Sequence, residues 1–418
     1  MEKIVIANPV RTAIGNFGGA LRTLPAYDLA ALVLSEATGR SNLKSDALDM
    51  VIMGQNYQSG EYVNIARMAL LKAGFAVEIP ALTLDRRCPS GLDAICLAAM
   101  SIQSQNAEVV LAGGVESMST AEFYLPGEMR WSVGGSGDMP RGHGSLASWS
   151  LPLYDRILRA RVMSQPQERF GLLPTMMTWA ESAAKEHSLT REEVDLWALA
   201  SNQKACAAIT SGRFKAEIVP VAVPQARGEP VLFCVDERPR ADSTLEALAR
   251  LRAVIGGVCT AGNSSGENDG AAACLVLSAD KARKLKIEPL GTLKSFAFSG
   301  VDPRFAWKAV PAAVEKALSK AGLTLGEIDL IEIHEAFAAQ ALANFKELKL
   351  AQSDLSRVNV NGSCVALGHP LGATGARILT TLLHEMQRRK AHYGLVAICG
   401  GGGMGACAIL EIAQEVAA

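Results

Sequence analysis

The sequence predicts an α/β enzyme built from two similar halves, and three observations carry that expectation. Short β-rich apolar runs alternate with longer Ala-rich helical stretches, the pattern of parallel α/β architecture. A unit of turn, helix and strand occurs once in each half of the chain, as in a duplicated domain. At 418 residues, with 49% hydrophobic, 20% charged and 5% aromatic residues, the chain exceeds one ordinary core and has the aliphatic composition of an α/β enzyme.

Taken in order, the expected strands contain Ile4-Val5-Ile6-Ala7, Met50-Val51-Ile52-Met53, Val109-Val110-Leu111-Ala112, Leu330-Ile331-Glu332-Ile333 and Leu395-Val396-Ala397-Ile398. Runs this apolar suit strands buried on both faces. In the first half, Cys88-Pro89-Ser90-Gly91 is a turn opening a helix from Leu92 to Met100, before a strand that ends at Gly113-Gly114. In the second, the turn from Gly368 to Gly375 opens a helix from Ala376 to Met386, before a strand that ends at Gly400-Gly401. Between them, 119–253 reads as an excursion that covers the site or forms an interface arm. It holds Trp131, Gly134 to Gly137, Arg141 to Gly144 and Trp149, with helices expected from Trp179 to Glu186 and Glu192 to Ser211.

The chemistry concentrates in cysteine and histidine. Cys88 follows two arginines and precedes Pro89, which suits the start of a helix, where the positive dipole end favours a thiolate nucleophile. His369 sits between Gly368 and Pro370, a rigid setting that suits general acid–base work. His334 ends one strand and Cys399 another, the position at which open α/β sheets bind ligands. The glycines after Cys399 let a substrate approach the backbone, and their amides suit an oxyanion hole. Cys96, Cys206, Cys234, Cys274 and Cys407 read as small buried hydrophobes. The polar turn from Ala261 to Gly270 suits a ligand arm or an ordinary surface loop, and Arg156, Arg159 and Arg161 read as a solvated face.

Balanced charge, 41 basic against 42 acidic residues, argues against nucleic-acid binding through bulk charge. Nine cysteines without a C-x-x-C pair suggest neither a metal ribbon nor a disulfide framework and fit a reducing compartment. No membrane span or signal peptide is expected, and the cytoplasm is the default location.

Pro9-Val10-Arg11-Thr12, Cys88-Pro89-Ser90-Gly91, Gly113-Gly114-Val115-Glu116-Ser117-Met118, Thr260-Ala261-Gly262-Asn263, His334-Glu335-Ala336-Phe337-Ala338, Gly368-His369-Pro370 and Cys399 with its glycine run together resemble the thiolase family. The resemblance covers essentially the whole chain. It implies βαβαβαββ halves forming a five-layered α/β/α/β/α core, 1–118 with 254–279 as the first half and 280–418 as the second, with 119–253 a loop domain over the site. It also implies that Cys88 is acylated with His369 accepting its proton, and that Cys399 moves the proton of the second substrate. The amides of Cys88 and Gly401 would hold the acyl-enzyme oxygen, and His334 and His369 the thioester oxygen. Ser265 and Arg240 would contact the pantetheine arm and the nucleotide end of coenzyme A, with Phe337 under the cluster. Coenzyme A and acyl-CoA are then substrates, with no separate cofactor and no metal. A homodimer or homotetramer is implied.

Three departures from the family pattern bear on function. The usual Cys-Gly-Ser-Gly is Cys88-Pro89-Ser90-Gly91, which removes a backbone donor. Short-chain members have Asn where His334 stands, whereas His-Glu-Ala-Phe resembles the β-subunit of the fatty-acid oxidation complex and raises a hydratase/dehydrogenase partner chain. Thr175-Met176-Met177 replaces the His-Met-Gly of short-chain members, and Phe123, Tyr124, Trp131, Trp149 and Tyr154 enrich the cover, so a pocket for longer or unusual acyl groups is expected. The competing readings are a related condensing synthase, against which Cys399 speaks, and a non-catalytic acyl-CoA-binding or scaffold subunit, for which Pro89 is the best support.

Overall fold

The computed structural model describes residues 2–127 and 153–413; Trp131, the Gly134 to Gly144 stretch and Trp149 lie outside them. The main strands are β1 (Ile4–Thr12), β2 (Met50–Gly54), β3 (Ala81–Leu84), β4 (Val109–Ser117), β5 (Asn268–Ser278), β6 (Gly291–Gly300), β7 (Leu330–Ile333), β8 (Tyr393–Gly400) and β9 (Met404–Glu411). The helices that matter here are α1 (Ala26–Gly39), α2 (Ser90–Gln103), α3 (Met177–Glu186), α4 (Arg191–Thr210), α5 (Ala309–Ala321), α6 (Ala338–Glu347) and α7 (Leu371–Arg389).

The strand order is β7-β8-β9-β6-β1-β5-β4-β2-β3. The sheets are mixed, which corrects the expectation of a parallel pattern. In the first half, β1 pairs antiparallel with β5, β5 antiparallel with β4, and β4 parallel with β2, which pairs parallel with β3. The second half repeats this as β6, β9, β8 and β7, antiparallel, antiparallel, parallel. Where β3 would recur, a single parallel bridge joins Ile331 to Val358. An antiparallel contact of Val5 with Thr292 and Ile6 with Gly291 joins the halves.

Because side chains alternate across a strand, each sheet feeds two cores. Ile4, Ile6, Ile52, Val110 and Ala112 point into a central core with Leu92 and Ile95 of α2 and Ile378, Leu379 and Leu382 of α7. Their neighbours Val5, Ala7, Val51, Met53 and Leu111 pack outward on Leu29, Val33 and Leu34 of α1. In the second sheet Val396, Ile398, Ala406 and Ala408 face the same central core. Leu395, Ala397, Cys407 and Ile409 face α5 and α6 on the far side. The sequence therefore stacks into helix, sheet, helix pair, sheet, helix, the expected five layers.

The two halves differ most in how antiparallel neighbours connect. Gly400 and Met404 close a tight turn between β8 and β9, whereas Ser117 and Asp269, paired at the matching place on β4 and β5, are separated by the whole cover segment. Buried Arg11 ties that segment to the core, donating from Nε to Glu217 at 2.6 Å and from Nη1 to Asp236 at 2.7 Å.

Candidate active site

The two reactive turns occupy equivalent places. Cys88 is followed by Pro89 (φ −65°) and then by α2; His369 is followed by Pro370 (φ −69°) and then by α7. Pro89 thus starts its helix as Pro370 does. Arg87 adopts φ 59°, a left-handed conformation uncommon outside glycine. It is held by its N–H to Asp85 at 2.6 Å and by its carbonyl, which accepts from Ser90 Oγ at 2.6 Å. This turn lifts Cys88 off the end of α2.

The starts of α2 and α7 cross almost backbone on backbone. A Cβ on Gly91 would stand 2.7 Å from the Gly372 carbonyl, and one on Gly375 would stand 2.4 Å from the Leu92 nitrogen. Only glycine permits that approach, and it brings His369 Nε2 within 3.2 Å of Cys88 Sγ. The Glu116 carboxylate pins the crossing, accepting N–H groups from Asn56, Tyr57 and Gly372.

The network selects a tautomer for His369. Thr374 Oγ1 donates its hydrogen to the Pro370 carbonyl at 2.8 Å and stands 2.7 Å from His369 Nδ1. That hydroxyl oxygen is left to accept, so Nδ1 carries the proton and Nε2 presents a lone pair to the thiol. Backbone completes the placement, with the His369 N–H donating to Asn268 Oδ1 at 2.8 Å.

Cys399, near the end of β8, lies 3.6 Å from His334 Nδ1, and the rings of His334 and His369 are 4.3 Å apart. His334 is fully buried and its Nε2 has no hydrogen-bond partner among the described residues. It follows β7 and precedes Glu335, whose carboxylate accepts from Trp197, Ser201 and Asn359 at 2.9, 2.8 and 2.7 Å. That pins α4 to the catalytic strand end. The four groups therefore come from four turns that meet at one place.

Burial dominates their ionisation. It pushes the Cys88 thiol up to about 12, against Arg87 and the backbone N–H groups of Gly401 and of Cys88 itself, both of which face the sulfur. Burial also raises Cys399 well above the usual thiol range and holds His369 well below the usual imidazole range; His334 is pushed down to about 3. The thiolate expected from the helix dipole is overruled by desolvation. The resting site is a set of neutral thiols and imidazoles.

A cavity of about 330 Å³ opens onto this cluster. Cys88, His369, Cys399, Gly401, Ser265 and Phe337 all line it. His334 is not among its lining residues. Arg240 is exposed in a neighbouring surface cavity with Asn16, Phe17 and Glu237, and Arg238 lines both. Thr175, Met176 and Met177 of the cover also line the main cavity, whereas Phe123 and Tyr124, which pair with Asp155 and Tyr154 in a short ribbon, do not, nor does Tyr154. Arg161, read as part of a solvated face, instead enters the cavity and pairs with Glu267 at 2.6 Å. Its position five residues from Arg156 on one helix turns it to the other side, a signal present in the sequence.

Other residues carried weaker signals. Thr374, Asn268 and Glu267 lie within turns singled out for their glycines, Met118 closes the Gly113 to Met118 motif, and Tyr57 carried no signal of its own. Cys364 is buried, with ring or thiol atoms of His334, Cys364 and His369 within 4.8 Å of one another. Arg377 Nη2 donates to its sulfur at 2.9 Å, and this fixed cation disfavours a dication there. Of the cysteines read as buried hydrophobes, Cys96, Cys274 and Cys407 are buried, but Cys206 is partly buried and Cys234 exposed.

Comparison with known proteins identifies the family. The family profile "Thiolase, N-terminal domain" matches residues 4–280, and "Thiolase, C-terminal domain" matches 287–412. The chain is 44% identical over 409 residues to an acetyl-CoA acetyltransferase of Pseudomonas aeruginosa, covering 97% of this chain and 98% of that one. It is 45% identical over 413 residues to one from Escherichia coli K12, covering 98% and 99%. The crystal structure of the Bacillus anthracis acetyl-CoA acetyltransferase superposes with a TM-score of 0.89 at 40% identity, covering 98% of this chain and 99% of that one. This chain belongs to the thiolase family.

Proposed function

We propose that the protein is an acyl-CoA C-acyltransferase that exchanges acyl groups between thioesters through an acyl-Cys88 intermediate. The observation that carries this reading is the lone pair of His369 Nε2 facing Cys88 Sγ at 3.2 Å, with the second thiol, Cys399, on the same cavity. In the condensing direction the Cys88 sulfur attacks the carbonyl carbon of an acyl-CoA while His369 takes the thiol proton. The C–S bond to coenzyme A then breaks, and the departing thiolate takes that proton. The Cys399 thiol next passes its own proton to the adjoining His334 and His369 imidazoles, the thiolate so formed removes a Cα proton from acetyl-CoA, and the carbanion displaces Cys88 to form the new C–C bond while the freed sulfur takes up the proton those imidazoles hold. Thiolysis runs the same steps backwards.

The neutral resting site fits this division. Thioester exchange is nearly isoenergetic, so charge exists mainly in the transition states, where the N–H groups of Cys88 and Gly401 are the donors for the oxygen that becomes negative. His334 Nε2, buried without a partner, is assigned with His369 to the thioester oxygen of the second substrate. Ser265 is assigned to the pantetheine arm, Phe337 to packing under the reacting groups, and Arg240, beside Arg238, to the nucleotide end. The segments 1–118 with 254–279, 119–253 and 280–418 are assigned as first half, cover and second half.

Coenzyme A and acyl-CoA are the small-molecule partners. A homodimer or homotetramer in the cytoplasm is the expected setting, with a hydratase/dehydrogenase chain a candidate partner that co-purification would reveal. Among the described residues no helix is long and apolar enough to cross a membrane. The scaffold alternative rested on Pro89, and the donors assigned to the oxygen do not include residue 89. A condensing synthase is disfavoured by Cys399.

The test is the intact mass after mixing with acetyl-CoA or acetoacetyl-CoA, repeated with Cys88→Ala. An acetyl increment that disappears in the variant is expected. A folded protein that binds coenzyme A yet gains no increment from these donors or from longer 3-ketoacyl-CoA would return the scaffold reading.

A further inference from the structure

Tyr57 lines two cavities that share no other lining residue among the described residues. One is the catalytic cavity; the other, of about 430 Å³, is bounded by Thr23, Pro25, Gln55, Ile65, Ala121 and Glu122 among others. The side chain between them is 4% exposed and packs with Met118 and Ile157, against which Leu371 also packs. Its backbone N–H donates to Glu116 Oε1 at 3.1 Å. Arg161, fixed by Glu267, faces the phenol from the cover, and burial outweighs that cation to hold the hydroxyl protonated, pushed up to about 12. The ring is thus held from the first half, from α7 and from the cover at once.

The cavity has a direction. Ser264, Ser265 and Gly266 line it together with Arg238, whose guanidinium donates to the Ser264 carbonyl at 2.8 Å. Arg238 also borders the exposed cavity that holds Arg240. Polar backbone and cations suit a pantetheine arm and its phosphates on that side. The side formed by Tyr57, Met118 and Leu371, apolar apart from Arg161 at the phenol, remains for the group bonded to the Cys88 sulfur.

We propose that Tyr57 is the end wall of the acyl pocket, that it confines the protein to short 3-ketoacyl thioesters, and that the second cavity is the space a longer acyl chain would enter were this ring removed. This deepens the acyltransferase reading and rests on it. It differs from the expectation of a pocket for longer or unusual acyl groups, which was drawn from Thr175-Met176-Met177, residues that do line the cavity, and from the aromatic cover, of which Phe123, Tyr124 and Tyr154 do not line it and Trp131 and Trp149 lie outside the described residues. Rejecting each methylene that does not fit costs an enzyme roughly tenfold or more in kcat/KM.

The experiment measures thiolysis kcat/KM for straight-chain four-, six- and eight-carbon 3-ketoacyl-CoA. The proteins compared are the wild type, Tyr57→Ala, Tyr57→Leu, Tyr57→Phe and Tyr57→Ala/Ala121→Trp, each checked for Cys88 acetylation by mass. The wild type is expected to fall by about a hundredfold or more from four to six carbons and further at eight. Tyr57→Ala and Tyr57→Leu should recover about tenfold or more of the eight-carbon to four-carbon ratio, and Tyr57→Phe should keep the wild-type ratio. Ala121→Trp, filling the second cavity, should cancel the gain. Wild-type activity that is flat with chain length overturns the proposal, as does an unchanged ratio in the folded, acetylated Tyr57 variants. Should Tyr57→Ala not fold, Tyr57→Leu and the wild-type series decide the matter. Absence of acetylation in the wild type would instead defeat the acyltransferase reading.

Discussion

Thr374 decides which nitrogen of His369 meets Cys88. Its hydroxyl is committed as a donor to the Pro370 carbonyl at 2.8 Å, so it can only accept from His369 Nδ1 at 2.7 Å, which leaves Nε2 basic toward Cys88. Thr374 is a positioning residue. Thr374→Val, similar in volume but without the acceptor, should lower the acylation rate by about ten- to a hundredfold, a fraction of what a general base supplies. KM should change little. Thr374→Ser should restore most of the rate, and a packing role alone would make Ser no better than Val.

The two thiols should separate by experiment. Cys399→Ala is expected to accept an acetyl group on Cys88, since the pair formed by Cys88 and His369 is complete without it. It should lose thiolysis and condensation by about a hundredfold to ten-thousandfold, the range for losing an acid–base group. Single-turnover mass spectrometry beside steady-state rates checks this. A variant that neither acylates nor turns over would show that Cys399 acts in the first step as well.

Cys88 and His369 were legible because their turns are local chemistry: a proline that starts a helix and glycines that let two helices touch. Their equivalence was visible too, as a repeated turn, helix and strand. Strand direction was not legible, because an antiparallel neighbour such as β5 is reached through the whole cover segment and no periodicity reports that. Val358, a single bridge where the first half has β3, gave no strand pattern at all. Tyr57 and Arg161 were missed for a related reason. Tyr57 meets the cover only in the folded chain and looks ordinary in its own segment, while Arg161's turn away from Arg156 is visible along its helix but the cavity it turns into is not.

The ionisation of Cys88 was misread because the helix end was visible in sequence and burial was not. With the thiol pushed up to about 12, the thiolate fraction of free enzyme should rise with each pH unit through the alkaline range. Site-resolved alkylation of Cys88 by iodoacetamide should therefore keep accelerating beyond pH 10 instead of levelling near the usual thiol value of about 8.5. A plateau at neutral pH would mean that Cys88 and His369 rest as an ion pair.

His334 ties stability to pH. Its imidazole is pushed down to about 3 by burial, with Arg377 adding to the effect, while the unfolded chain titrates near 6.5. Between these values the unfolded state binds more protons than the folded one, so stability falls as pH falls below about 6.5 and the loss ends near the folded pKa. At pH 5 the loss from this group is about 2 kcal/mol relative to neutral pH. Buried carboxyls act in the opposite sense. Glu116 is raised to about 7 and Glu332 to about 8, so each holds a proton in the folded state that the unfolded chain releases above about 4.5, and their stabilisation is lost as pH rises through that interval. The His334 contribution must therefore be read as a difference. Urea unfolding of the wild type and of His334→Asn, compared at pH 5 and pH 7.5, should show the wild type losing about 2 kcal/mol more than the variant. Equal losses would place a proton on His334 in the folded protein, and its unpartnered Nε2 would then be a charged donor.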